Sequence, residues 1–155
     1  MTILAWRIVS ERRAHAAFTG EGASRYPGRW NMQGTPLIYT AGSLALAVLE
    51  IIANTSVKYL RTQRYVAVPI RFDEKVVLRL DLKDLPADWA QAPRSQATQA
   101  LGTRWVTAAS SAVLAVPSSI IPIEPNFLLN PRHPDFCKIS IGKPETFLFD
   151  KRLLR

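Results

Sequence analysis

A single glutamate interrupts the longest apolar stretch of the chain. Residues 46–52 read Leu-Ala-Val-Leu-Glu-Ile-Ile, so Glu50 is the only polar side chain among them. A carboxylate buried without partners is costly, and Glu50 must therefore lie in solvent or in a prepared polar site. The exposed face of an amphipathic helix carries several polar residues, whereas this segment offers one. We therefore favour a carboxylate that faces a cleft and performs chemistry there.

An arginine and a tyrosine precede this segment, in Arg29-Trp30-Asn31 and at Tyr39. The planar fork of arginine suits phosphate, and a tyrosine ring packs well on another flat ring. A glutamate such as Glu50 can stabilise a developing cation. Together these are the groups that a site needs to bind NAD and to break its glycosidic bond.

Other kinds of chemistry are less well supported. Residues 20–25 superficially resemble a dinucleotide-binding fingerprint, but the third glycine and a strand–turn–helix context are missing, which excludes that interpretation. Glycine there could still let the backbone approach a phosphate, and a flexible surface loop is an equal alternative. His15, His133 and Cys137 lack the spacing of a zinc site, and we expect no metal. A nucleophilic pair of Cys137 with His133 is a poor candidate because Pro134 intervenes.

Short strands and two helices must position these residues. A helix is predicted over residues 44–53, where Ser43 offers an N-cap, and a second helix over residues 94–109. Loops are expected at 19–34 and 124–136. The predicted strands are 3–9, 36–40, 65–71, 76–81, 113–116, 119–123, 138–141 and 146–149. This order indicates an α+β fold with a mixed or antiparallel sheet, and residues 1–155 form a single domain without a linker.

Composition excludes several classes of protein. The 155 residues suit one domain, and a hydrophobic content of 48% excludes disorder. Cys137 has no partner for a disulfide, and neither a signal peptide nor a membrane span is evident, so we expect a cytoplasmic location. The net charge of +8 is spread along the chain and suits an anionic partner: nucleic acid, a phosphate-bearing small molecule or an acidic protein. The sequence contains no run of basic residues that would predict a dedicated nucleic-acid-binding patch.

Seven short stretches, in order along nearly the whole chain, follow the pattern of a known family. They are Trp6-Arg7-Ile8, Gly28-Arg29-Trp30-Asn31 with Gly34-Thr35-Pro36, Ile38-Tyr39-Thr40, residues 43–47 with Leu49-Glu50, Val116-Pro117-Ser118, residues 126–136 and residues 149–153. With these residues the chain resembles the RES-domain toxins of bacterial toxin–antitoxin pairs. The family is named after an Arg, a Glu and a Ser, which fall most naturally on Arg29, Glu50 and Ser118.

The resemblance implies a fold similar to that of ADP-ribosyltransferase toxins, with NAD as the substrate. On that analogy Arg7 and Arg29 hold the pyrophosphate or a nearby ribose, and Tyr39 packs on the nicotinamide. Glu50 engages the nicotinamide ribose and stabilises its oxocarbenium character, and Ser118 orients the substrate or its carboxamide. The catalytic residues would then be Glu50, Arg29 and Ser118.

The resemblance also implies a reaction and a partner. Family members degrade NAD by hydrolysis or phosphorolysis, which depletes the cell of NAD and arrests growth, or they transfer ADP-ribose to a protein. Arginine-modifying transferases of similar fold carry a second Glu or Gln two residues before the catalytic one; Val48 stands there and disfavours arginine transfer. The implied partner is a helix-turn-helix (Xre-type) antitoxin that blocks the active site and itself contacts DNA.

Two alternatives remain at this stage, besides protein ADP-ribosylation. A basic nucleic-acid-binding module without catalysis would show steeply salt-dependent binding by the isolated chain. An RNA-cleaving toxin is disfavoured because two histidines and few paired acids give no convincing acid–base pair. The sequence leaves open which acceptor is used and whether the protein is a homodimer.

Overall fold

A curled mixed sheet organises the chain. The computed structural model describes residues 1–155 and contains eight strands. They are β1 (Thr2–Ser10), β2 (Ile38–Ala41), β3 (Tyr65–Asp73), β4 (Val77–Arg79), β5 (Val113–Pro117), β6 (Pro125–Leu129), β7 (Ser140–Ile141) and β8 (Glu145–Phe147). The strand order is β4-β5-β6-β2-β1-β3-β7, and β8 also pairs with β3. Only β4 and β5 are parallel, so the predicted α+β fold with a mixed sheet is confirmed.

Four α-helices and several short 3-10 helices accompany the sheet. The α-helices are α1 (Glu21–Arg25), α2 (Leu44–Asn54), α3 (Val57–Thr62) and α4 (Gln96–Ala108). The 3-10 helices are Glu11–Ala16, Glu74–Val76, Leu82–Asp84, Pro134–Lys138 and Lys151–Leu154. None of the helices combines the length and the apolar character that a membrane crossing demands.

The sheet is weakest between β1 and β2. Strand β1 pairs with β3 through nine residues but meets β2 in a single pair, Trp6 with Ala41. Beyond that pair the side chain of Arg7, rather than the backbone, donates to the carbonyl of Tyr39 at 2.7 Å. The two halves of the sheet therefore separate at Arg7.

Helices α2 and α4 begin where the sequence predicts and cover separate parts of the core. The Ser43 hydroxyl accepts a hydrogen bond from the Leu46 amide at 3.0 Å, as expected of an N-cap. Leu46 and Ala47 are the side chains that α2 buries in the core. The side chain of Ser95 caps α4 in the same way. A third apolar cluster, which includes Ile70, contains no residue of an α-helix.

Two expectations from the sequence fail between residues 119 and 136. Residues 119–123 form a turn instead of a strand, because the Ser118 hydroxyl accepts from the amides of Ile120 and Ile121 at 3.1 Å. The loop expected over 124–136 contains β6, whose last three residues are buried between β2 and β5. A short run buried on both faces does not alternate, and its flanking Pro and Asn residues obscured it.

Three smaller differences concern short elements. The loop expected over 19–34 includes the one-turn helix α1, and α3 follows α2 without having been predicted. Of the strand expected over 138–141, residue 138 ends a 3-10 helix and residue 139 lies in a bend, so only the second half forms a strand, β7, which pairs with β3. Helices of five or six residues give too few turns for a periodic pattern.

Substitution of Gly102 tests the close contact between α4 and the loop before β2. A Cβ at Gly102 would lie 1.8 Å from the carbonyl oxygen of Trp30. We expect Gly102→Ala to lower the free energy of unfolding by about 1–3 kcal/mol through overpacking, although alanine is ordinarily the better helix former. Urea denaturation measures the change.

The matched control is Gly22→Ala in α1, where a Cβ meets nothing within 4 Å. It should be neutral or stabilise the protein by about 0.5–1 kcal/mol. A Gly102→Ala protein at least as stable as the Gly22→Ala protein would contradict the packing described here.

Candidate active site

Glu50 lies half-buried on α2 with its carboxylate held from one side. Its Oε1 accepts two hydrogen bonds, from Ser118 Oγ at 2.8 Å and from Asn126 Nδ2 at 2.7 Å. No arginine or lysine forms an ion pair with it, and no protein group donates to Oε2. The carboxylate is therefore a fixed anion with one oxygen left for another group.

Ser118 is one of the two donors that hold the Glu50 carboxylate. It follows β5, is fully buried, and its amide donates to the carbonyl of Glu124 at 2.9 Å. A serine hydroxyl has a single proton to donate, and that proton lies on Glu50. The geometry thus makes Ser118 a support for Glu50 and for the turn after β5.

Asn126 is a part of the site that the sequence did not single out. It stands on β6 beside Val116 of β5, so the turn between the two strands brings Ser118 and Asn126 to the same carboxylate. Its Oδ1 is buried and has no hydrogen-bond partner. The only signal for it was its position in the matched stretch 126–136.

Arg7 is a half-buried cation without a compensating anion. Its Nη1 donates to the Tyr39 carbonyl at 2.7 Å, while its Nε is buried and has no partner. Burial lowers the pKa of Arg7 to about 10, so the guanidinium is still charged near neutral pH. A desolvated charge of this kind is relieved when an anion binds beside it.

Arg29 joins the site to the segment before α4. Its Nη1 donates to the carbonyls of Trp89 at 2.9 Å and Gln91 at 2.8 Å. Burial lowers the pKa of Arg29, the negative charge of Glu50 opposes this shift, and the nearby Arg94 adds to it. Arg94 is thus a second exposed cation close to Arg29, and no sequence motif drew attention to it.

Tyr39 is fixed by its hydroxyl. The hydroxyl donates to Asn31 Oδ1 at 2.6 Å and accepts from the Trp30 amide at 3.0 Å. Burial raises the pKa of Tyr39, so the phenol stays neutral. Gly28 allows this packing, because a Cβ there would come within 2.6 Å of the hydroxyl oxygen. The hydroxyl is therefore used within the protein, and the half-buried ring packs in part against the apolar cluster that includes Trp30.

Comparison with known proteins identifies the family of this chain. The RES domain family matches the chain over residues 4–150. The chain belongs to the RES domain family. The resemblance found in the sequence is thereby confirmed.

Curated relatives and a solved structure extend the match over the full RES domain. "Toxin Res" of Yersinia enterocolitica is 37% identical over 153 residues, which span 97% of this chain and 99% of the relative. The "Prs ADP-ribosylating toxin" of Sphingobium is 35% identical over 160 residues, spanning 100% and 99%. The toxin–antitoxin complex MbcT–MbcA of M. tuberculosis contains a chain with a TM-score of 0.77, at 20% identity, over 96% of this chain and 85% of that one. At that identity the structure supports the fold alone.

Four of the five residues singled out from the sequence are joined by hydrogen bonds in two separate pairs, and Arg29 lies near one member of each pair. Ser118 bonds to Glu50 directly, and Arg7 bonds to the backbone of Tyr39. Arg29 is close enough to Glu50 and Tyr39 for their charges to affect its pKa. No hydrogen bond or ion pair joins either arginine to Glu50. The arrangement combines a fixed carboxylate with cations that are free to bind an anion.

Pyrophosphate tests whether Arg7 belongs to an anion site. At ten times its dissociation constant, a ligand that binds only the folded protein stabilises it by about 1.4 kcal/mol. We expect pyrophosphate to raise the melting temperature of the wild-type protein by a few degrees and that of Arg7→Gln by much less. Differential scanning calorimetry with and without pyrophosphate measures both increments.

Arg79→Gln provides the matched loss of charge, because Arg79 lies exposed on β4 at the opposite edge of the sheet from β3. Pyrophosphate should raise the melting temperature of Arg79→Gln by as much as it raises that of the wild type. Equal increments in Arg7→Gln and Arg79→Gln would show that pyrophosphate does not bind at Arg7.

Proposed function

We propose that this protein is the toxin of a toxin–antitoxin pair and that it consumes NAD by cleaving the bond between nicotinamide and ribose. The observation that carries the proposal is the Glu50 carboxylate, held at Oε1 by Ser118 and Asn126 and free at Oε2. Two relatives carry the names "Toxin Res" and "Prs ADP-ribosylating toxin", and these names support the same function.

The arginines fit the anionic part of this substrate. A dinucleotide carries two negative charges on its pyrophosphate, and Arg7 offers a buried Nε donor that nothing in the protein satisfies. Arg29 and Arg94 add two cations near Glu50 and the Tyr39 ring. In the proposed complex Arg7 and Arg29 hold the pyrophosphate or a nearby ribose, and Arg94 contributes to the same field.

The bond cleavage needs little acid–base help from the protein. Nicotinamide leaves as a neutral molecule from a cationic ring, and positive charge develops on the ribose. In our proposal Glu50 Oε2 stabilises that charge, while Ser118 and Asn126 keep the carboxylate in place so that it need not reorganise. Removal of one such interaction raises the barrier by about 3 kcal/mol, or roughly a hundredfold in rate.

Ser118 and Tyr39 take more specific roles in this proposal than the sequence suggested. Because the Ser118 proton is used on Glu50, we assign Ser118 to positioning Glu50 instead of contacting the carboxamide. The Tyr39 ring packs against the nicotinamide while its hydroxyl stays in the loop network with Asn31 and Trp30.

The acceptor is proposed to be water or phosphate. Val48, two residues before Glu50, packs against the apolar cluster under α2, so no second acid stands beside the catalytic one. Transfer of ADP-ribose to a protein is the second candidate, and the name of the Sphingobium relative favours it. In either case we propose that a cognate antitoxin, of helix-turn-helix type, inhibits the protein by covering the site; the structural neighbour comes from a toxin–antitoxin complex.

Nicotinamide release from NAD by the purified protein tests the proposed reaction. We expect Glu50→Gln to lower kcat at least a hundredfold, because the amide has the same shape but no charge. Glu145→Gln, an exposed position on β8, is the matched control and should keep wild-type turnover. Wild-type turnover in Glu50→Gln would remove Glu50 from the mechanism.

The products identify the acceptor. Free ADP-ribose indicates hydrolysis, ADP-ribose 1″-phosphate in added phosphate indicates phosphorolysis, and a labelled protein band indicates transfer. A protein that releases no nicotinamide under any of these conditions would contradict the proposal as a whole.

Asn126→Ala separates positioning from binding. The substitution removes one of the two donors to Glu50 Oε1 and leaves the arginines unchanged. We expect kcat to fall roughly tenfold to a hundredfold with KM changed by less than threefold, because the interaction lost acts mainly in the transition state. A rise in KM at unchanged kcat would instead assign Asn126 to substrate binding.

A further inference from the structure

One cavity of the molecule shares no lining residue with the site around Glu50. It is a groove of about 670 Å³ between α3, the beginning of β3, β8 and the C-terminal 3-10 helix Lys151–Leu154, and we call it the α3 groove. Its apolar lining consists of Leu60, Tyr65, Phe147, Leu148, Phe149 and Leu154. None of the residues that line it belongs to the candidate active site. The proposed reaction therefore does not use this groove.

Unpaired cations surround the groove. Arg61, Arg64 and Lys151 line it, and a neighbouring depression of about 340 Å³ adds Arg12. None of these four forms an ion pair with a carboxylate, although Arg61 donates to the backbone carbonyl of Leu154. Glu11 is the only acidic residue in the lining. The groove thus combines an apolar floor with a positive rim.

The apolar groups that remain accessible are mainly aliphatic. The rings of Tyr65, Phe149 and Phe147 pack edge to face, with centroids 5.3 Å and 5.1 Å apart, so they fill the floor. Leu148 is 84% exposed at the groove, and Leu153 beside it is 48% exposed. Leu148 therefore extends the apolar surface of the groove into solvent.

We propose that the α3 groove is a docking surface for a segment of a partner protein that carries both acidic and aliphatic side chains. Carboxylates of the segment meet Arg64, Lys151 and Arg12, and its aliphatic side chains cover Leu148. Single-stranded nucleic acid fits less well, because the aromatic rings pack edge to face with one another, which limits the ring faces available for stacking on bases. A second copy of this chain fits less well too, because each copy carries a net charge of +8.

Peptide binding by the full-length protein tests this proposal. The probes are synthetic helical peptides in which the number of Glu and the number of Leu vary independently, with Gln and Ser as replacements. We expect affinity to rise with both numbers and to fall at least tenfold in Arg64→Glu and in Leu148→Asp. Arg79→Glu, at the opposite edge of the sheet, carries the same change in charge and should stay within twofold of the wild type.

Three outcomes would overturn the proposal. Affinity that depends on Glu content alone, with Arg64→Glu and Arg79→Glu weakened equally, would show diffuse attraction to a basic protein. Binding of single-stranded oligonucleotides that is lost in Arg64→Glu but kept in Arg79→Glu would assign the groove to nucleic acid. A dimer in sedimentation velocity that Leu148→Asp dissociates would assign it to a second copy.

The groove is independent of the NAD reaction. Peptide binding is measured without NAD, and thermal melts confirm that each variant is folded, so failure of the proposed reaction leaves the binding result intact. If nicotinamide is released, Arg64→Glu should release it at the wild-type rate, because Arg64 has no contact with the site.

Discussion

The position of one carboxylate determines how the rest of this site is built. Glu50 belongs to a helix whose other side chains are apolar up to its last residue, Asn54, so its charge is acceptable only where donors are prepared for it. The turn from β5 to β6 supplies them: Ser118 at the end of one strand and Asn126 near the start of the next both reach Oε1. The same turn is closed by the Ser118 hydroxyl, which accepts two hydrogen bonds, and by the hydrogen bond that the Ser118 amide donates to the Glu124 carbonyl. Fold and site thus share one set of hydrogen bonds.

Arg7 and Arg29 form no ion pair with a carboxylate of the protein. Arg7 is held in the opening between β1 and β2, and burial lowers its pKa to about 10, which means that the folded protein bears a desolvation penalty near neutral pH. In the proposed function, an anion that binds beside Arg7 relieves this penalty. Arg29 differs, because it also fastens the Trp89–Gln91 backbone near the site through two carbonyls. The two arginines are therefore not equivalent.

The sequence predicts the features that depend on local pattern. The Ser43 cap, the α2 helix and the lone polar position at Glu50 all follow from a few neighbouring residues, and the structure places them as expected. Strand β6 was missed because its burial comes from β2 and β5, which are far away in the chain. The partnership of Ser118 with Glu50 spans 68 residues and that of Asn126 spans 76, and the approach of Arg94 to Arg29 is equally non-local. Such contacts leave no periodic signal in one sequence.

Separate measurement of NAD binding and NAD cleavage tests the central claim most directly. If the fixed Glu50 carboxylate stabilises charge that appears only during bond cleavage, the Kd for NAD in isothermal titration calorimetry changes less than about threefold in Glu50→Gln while single-turnover release of nicotinamide falls at least a hundredfold. A loss of NAD affinity as large as the loss of rate would contradict the account, because Glu50 would then bind the ground state and the transition state alike.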